Sequence, residues 1–162
     1  MIKIRKYSDT DLDWLVKLNN LCVPNVDPHT NASMQNNLNH TRHTIIAIKD
    51  GVALGAALLM REGEKYNSKN YNWHSAHNSK HLYVDRIIVA EQARGMGVGR
   101  KLYQHAFGLA DDMHVPLTAE VNTVPDNPQS HAFHHALGFD IAGETEHEPG
   151  YSVRFYKYEG QA

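Results

Sequence analysis

Val89-Ala90-Glu91-Gln92-Ala93-Arg94-Gly95-Met96-Gly97-Val98-Gly99-Arg100 is the stretch that decides how this chain folds. Before it, residues 82–89 are apolar and β-branched enough for a strand, with Asp85 as the one acid among them. After it, Val98, Leu102, Ala106, Leu109 and Met113 step by four, four, three and four, which predicts an amphipathic helix over 97–113. Three alternating glycines therefore join a strand to a helix. Small residues let backbone N–H groups approach a ligand, and a helix N-terminus adds positive dipole. The combination suits an anion such as a pyrophosphate, with Arg94 and Arg100 adding charge. A plain tight turn is the other reading.

Toward the N-terminus, Ile2 and Ile4 alternate with Lys3 and Arg5 as in a strand. Ser8-Asp9-Thr10-Asp11 resembles a capping box opening a helix that carries Leu12, Leu15, Val16 and Leu18. A short helix over 31–38 would put Met34 and Leu38 on one face. Residues 44–48 and 52–60 read as a hairpin closed by Asp50-Gly51. Residues 61–80 are polar and aperiodic, and we read them as a long loop, mobile rather than functional. Tyr66, Tyr71 and Trp73 leave room there for a lid.

Beyond the central helix, 117–121 is the next strand. Asn127-Pro128 opens a helix that Leu137-Gly138 closes, and 139–142 and 153–158 follow as strands. No repeat or linker divides the 162 residues, which fit one domain over 1–162.

Sixteen Lys and Arg against 18 Asp and Glu give a net charge of −2, without the basic excess a nucleic-acid surface needs. No apolar run approaches a membrane span, and the N-terminal strand pattern is unlike a signal peptide. The single Cys22 suits a reducing compartment, so a cytoplasmic protein without a membrane partner is expected. Histidine is the odd count: with all 12 protonated, −2 would become +10.

No Walker loop (Gly-x4-Gly-Lys-Ser/Thr) is present, and Gly95-x-Gly97-x-Gly99 falls one residue short of the dinucleotide fingerprint. Glu120 does stand about 20 residues on, as that fingerprint asks. Gln92-x-x-Gly95-x-Gly97 instead resembles the Gln/Arg-x-x-Gly-x-Gly/Ala signature of the GNAT superfamily of acetyltransferases. A second likeness follows in order: Asn127, then His134 where members often carry Tyr, then Gly138-Phe139. The resemblance covers 82–139; the N-terminal half agrees in element order.

The resemblance implies a mixed α/β fold. Its sheet is central, twisted, mostly antiparallel and of about six to seven strands, splayed at the fourth and fifth and flanked by about four helices. It implies acetyl-CoA as the cofactor and an amine of a small molecule or peptide as the acceptor. Backbone around Ile87, Ile88 and Val89 would pair with the pantetheine arm. The turn of Gln92, Arg94, Gly95, Met96, Gly97, Val98, Gly99 and Arg100 would cradle the pyrophosphate. Asn127 and Phe133 would touch the cofactor, or else serve as helix cap and core aromatic. Members often dimerise, so a homodimer is among the expectations. A CoA-binding sensor or interaction module without chemistry is the alternative of another class.

Acetyl transfer needs a base for the amine, donors for the thioester oxyanion and an acid for the thiolate. Family members offer a backbone N–H for the oxyanion, here near Val89. Strand alternation puts Glu120 and Asn122 on one face, and members with Glu-Val-Arg at this place use the Glu as base. Glu120 is thus the first candidate, although Asn122 replaces the Arg. Asp85 is the rival, unless it is tied in an ion pair, and a water chain is the third reading. His134 takes the position of the acid. His131, His134 and His135, or His74, His77 and His81, have zinc-like spacing, but no His-Glu-x-x-His string or nearby Cys supports a metal. The eleven histidines other than His134 are expected on the solvated surface.

Overall fold

Asp50 and Gly51 both take positive φ, 52° and 77°, which is the backbone of a tight hairpin turn. They join β2 (His43–Lys49) to β3 (Val52–Arg61), paired antiparallel from Lys49↔Val52 onward. The computed structural model describes residues 1–160. Among them the seven strands hydrogen-bond in the order β1-β2-β3-β4-β5-β7-β6. The remaining strands are β1 (Lys3–Lys6), β4 (Leu82–Val89), β5 (Leu117–Val124), β6 (Asp140–Glu148) and β7 (Tyr151–Tyr158). The helices are α1 (Leu12–Leu21), α2 (Asn31–His40), α3 (Lys69–His77), α4 (Val98–Met113) and α5 (Pro128–Ala136).

β4 and β5 are the parallel pair, through Leu82↔Leu117 and Tyr83↔Thr118. That ladder is two residues long although each strand has eight. It is the short parallel contact that a splay between the fourth and fifth strands would leave. The mixed α/β fold expected from the sequence is the one observed, with one helix more than expected.

The chain divides into two compact units. Met1–Met60, Glu64–Tyr66 and Val84–Ala106 form the first; Arg61–Gly63, Asn67–Tyr83 and the stretch from Phe107 onward form the second. In the first, Ser8 N–H donates to Asp11, which also pairs with Arg5 at 2.8 Å, so the expected capping box opens a 3-10 turn, Asp9–Asp11, that leads directly into α1. Leu15, Met34, Ile46, Leu58, Ile88 and Leu102 are buried there. Gly55 on β3 has a structural reason. A Cβ at that position would lie 2.8 Å from Ile88 O and 2.9 Å from Val98 Cγ1, so only glycine lets β3 sit against β4 and the start of α4.

In the second unit, residues 61–80 are not the aperiodic loop read from the sequence. They contain α3, capped by the Ser68 hydroxyl, which accepts from Tyr71 N–H at 3.2 Å. Tyr71 and His74 form its buried stripe, continued by the buried C-cap Asn78. These residues have helical spacing, but two of the three are polar, so hydrophobic periodicity does not reveal them. The loop aromatics have partners: Trp73 stacks on Phe155 at 3.8 Å and lies over Gly143, where a Cβ would meet it at 2.7 Å.

Two histidines expected at the surface are core residues. His74 and His81 are both fully buried. His81 Nδ1–H donates to Thr118 Oγ1 at 2.8 Å, and Ser75 Oγ donates to its Nε2 at 3.0 Å. Burial pushes His74 down to about 3 and His81 down to about 4, so both are neutral in the fold.

Unfolded histidine titrates near ~6.5, and these two bind protons in the unfolded chain first. Their contribution to stability is therefore complete above about pH 6.5 and is lost as pH falls toward 4, at up to about 1.4 kcal/mol per pH unit and site. Chemical denaturation at a series of pH values should show that fall. His81→Asn, which can keep the bond to Thr118, should flatten it; an unchanged slope would contradict the account.

Candidate active site

In the first unit, β4 runs into a short turn and then α4. Asp85, Ile87 and Val89 are half-buried and alternate with buried Arg86 and Ile88, as a strand with one partly open face requires. Ala90 N–H closes the strand on Leu54 O at 2.8 Å. Glu91–Ala93 make one 3-10 turn, and Ala93 and Val98 are the buried anchors of the segment. Gln92, Arg94, Gly95, Met96, Gly97 and Arg100 are exposed, and Gly99 is half-buried. Gly95 and Gly97 take φ of 81° and 83°, where a side chain is strained, so the glycines are needed for the turn itself.

Met96 N–H is used by Ala93 O and Lys101 N–H by Gly97 O. The first N–H groups of α4, at Val98, Gly99 and Arg100, have no carbonyl of their own helix to reach. This end of the helix, flanked by exposed Arg94 and Arg100, fits a phosphate-bearing ligand.

Asp85 lies in the same unit, and its carboxylate is engaged on both oxygens. Arg86 Nε donates to Oδ2 at 2.8 Å and Tyr66 O–H donates to Oδ1 at 2.6 Å. Arg86 Nη1 goes on to Asn19 Oδ1 at 2.9 Å, and Asn19 Nδ2 to Asp27 O at 2.8 Å. The Asp85 and Arg86 side chains are only 5% and 7% exposed. Burial opposes the Arg86 charge, but Asp85 outweighs it and raises the guanidinium above its usual range. Burial, then Asp85, raises Tyr66. The structure gives Asp85 the ion pair, with its chain neighbour as partner, and the local network already uses the carboxylate a base would need.

In the second unit, Glu120 and Asn122 are half-buried while Ala119 and Val121 are buried, as the alternation on β5 predicts. Glu120 Oε1 lies 3.8 Å from His74 Nε2. Asn127 caps α5, its Oδ1 accepting from Ser130 N–H at 3.3 Å. Phe133 is half-buried.

His134 is buried, and its Nδ1 must donate to Ser130 O, 2.8 Å away, because a carbonyl only accepts. Burial lowers its pKa, so near neutral pH the imidazole is uncharged with its proton on Nδ1. His131, one turn earlier, has other partners: Nε2 donates to Asn122 O at 2.9 Å, and Tyr156 O–H donates to Nδ1 at 2.6 Å. Among the described residues no three His, Cys, Asp or Glu side chains gather as metal ligands. Arg86 carries no signal in the sequence pattern, and Tyr66 and His74, which the sequence suggests for a lid and for zinc-like spacing, instead face Asp85 and Glu120.

A sequence model of the acetyltransferase (GNAT) family matches residues 12–139, which include the turn, β5 and α5. The chain belongs to that family. Among curated relatives, it is 42% identical over 59 residues to the 5-NmdU N-acetyltransferase of Pseudomonas phage PaMx11, 36% of this chain and 39% of that protein. It is 34% identical over 64 residues to the peptidyl-lysine N-acetyltransferase YjaB of Escherichia coli, 40% of each. The chain therefore spans about two fifths of the length of the curated relatives it matches. A GNAT phosphinothricin acetyltransferase from Sinorhizobium meliloti, solved with AcCoA, shares the fold at a TM-score of 0.72 and 20% identity, over 96% of this chain and 86% of that one.

Removing the Asp85 charge leaves Arg86 buried without its partner, which is strongly destabilising. Asp85→Asn should lower the unfolding free energy by about 3–5 kcal/mol. Urea denaturation checks this; a variant within about 1 kcal/mol of the parent would show that the pair is not structural.

Proposed function

We propose that the chain is an N-acetyltransferase that moves an acetyl group from acetyl-CoA to a primary amine of a small molecule or peptide. The supporting observation is the β4–α4 turn, with its two positive-φ glycines at the start of α4, inside the stretch that matches the family. In this reading residues 1–162 act as one acetyltransferase domain in the cytoplasm, and a homodimer is kept in the proposal because family members often pair. Among the described residues no helix is long and apolar enough to cross a membrane.

The turn from Gln92 to Arg100 holds the pyrophosphate through backbone amides, with Arg94 and Arg100 countering its charge. Backbone at Ile87, Ile88 and Val89 pairs with the pantetheine arm, and the N–H near Val89 donates to the thioester oxygen as negative charge develops there. Asn127 and Phe133 contact the donor from α5. Bound acetyl-CoA supplies an activated acyl group on a good leaving thiolate. In direct attack within a ternary complex, Glu120 accepts the proton of the amine, the amine nitrogen bonds the acyl carbon and the C–S bond breaks. His134 acts on the sulfur. Neutral, with its proton on Nδ1, the imidazole presents only an acceptor at Nε2, so CoA leaves as the thiolate, and His134 can protonate it only with a proton that Nε2 first takes from solvent. Asp85 supports β4 rather than exchanging protons.

The two curated relatives are named for different acceptors, 5-NmdU and peptidyl-lysine, so the proposal stops at the amine. Calorimetry should show saturable acetyl-CoA binding, and thiol release should require an amine from a broad panel. Glu120→Gln should slow turnover by roughly 10²–10⁴-fold with acetyl-CoA binding unchanged. Parental turnover would remove Glu120 as base, and binding without thiol release toward any amine would favour a sensor module instead.

A further inference from the structure

We propose that His74 is a positioning residue for Glu120, acting from α3 on the carboxylate assigned above as the base; the proposal rests on that assignment. His74 Nε2 lies 3.0 Å from Ala119 O, so this nitrogen carries the proton and donates. The bond ties the ring to the residue immediately before Glu120. It also leaves Nε2 3.8 Å from Glu120 Oε1, beyond hydrogen-bond length but close enough for the N–H dipole to act in a buried setting.

The ring itself cannot wander. His74 is fully buried, with Phe155 edge-on at 5.1 Å, Trp73 edge-on at 5.4 Å and Tyr83 at 5.6 Å. Packing alone does not call for a histidine here. Its Nδ1 is a buried acceptor with no hydrogen-bond partner among the described residues, which is unfavourable and which a phenylalanine would avoid. What the imidazole adds is the Nε2–H.

The contact is not an ion pair. His74 is held near 3, chiefly by burial, so it stays uncharged while Glu120 titrates. The groups facing it are His77 from its own helix, His81, Tyr83 on β4, Glu120 on β5 and Lys157 on β7. A neutral donor beside a carboxylate favours the ionised form. His74 thereby keeps Glu120 ready to accept a proton.

Two substitutions separate this role from packing. H74F keeps a ring and removes the donor; H74Q places an amide N–H near the position of Nε2. The readouts are the pH profile of kcat/KM, kcat, and KM for acetyl-CoA. H74F should move the acidic limb upward by about half a pH unit or more and lower kcat roughly tenfold, with KM for acetyl-CoA unchanged. H74Q should restore the limb. In an E120Q background H74F should slow turnover no further. A parental limb in H74F, the same shift in H74F and H74Q, or added loss in E120Q would each overturn the proposal. If H74F does not fold, H74M takes its place under the same outcomes. E120Q with parental turnover would instead overturn the base assignment itself, and with it the role given to His74.

Discussion

The chain leaves β4 and enters α4 across eight residues, and it can do so only with left-handed backbone at Gly95 and Gly97. Much else in the first unit follows from that turn. The first amides of α4, which have no carbonyl of their own helix to reach, follow directly on the exposed residues 94–97. Gly55 must lack a side chain because β3 lies against Ile88 O and Val98 at the two ends of the same connection. Ala93 and Val98 are the buried points that hold the turn while the residues between them face outward.

The two candidate carboxylates have been given opposite surroundings. Asp85 faces a permanent cation and a phenol, and both of its oxygens are taken. Glu120 faces an imidazole that burial keeps neutral. A carboxylate locked against arginine holds a strand in place; one beside a neutral dipole keeps its capacity to take a proton. Charge alone would not have separated them, since both are acids in strands with largely buried side chains.

Much of this was legible in the sequence because it depends on local rules. The glycine turn, the stripe of α4, the alternation on β5 and the Asn127 cap each follow from spacing within a few residues. What was not legible depends on partners far away or on unusual residue types. α3 was hidden because only Tyr71 and His74 of it are buried, with Asn78 at its C-cap, and a histidine and an asparagine do not register in hydrophobic periodicity. His74 and His81 read as surface because their burial depends on β5: on Ala119 O and Thr118 Oγ1, more than 35 residues along the chain. The Tyr66 bond to Asp85 joins a stretch read as loop to a strand, and no local pattern announces it. The spacing of Asn127, His134 and Gly138-Phe139 drew attention to His134, but its protonation state depends on Ser130 O and burial, which only the fold supplies.

The central claim is that the β4–α4 connection is where acetyl-CoA is held. Amide hydrogen exchange of the whole chain, with and without acetyl-CoA, tests it most directly. The account expects slower exchange concentrated at residues 87–100 when acetyl-CoA is present. Protection confined to other parts of the chain, or none at saturating acetyl-CoA, would contradict it.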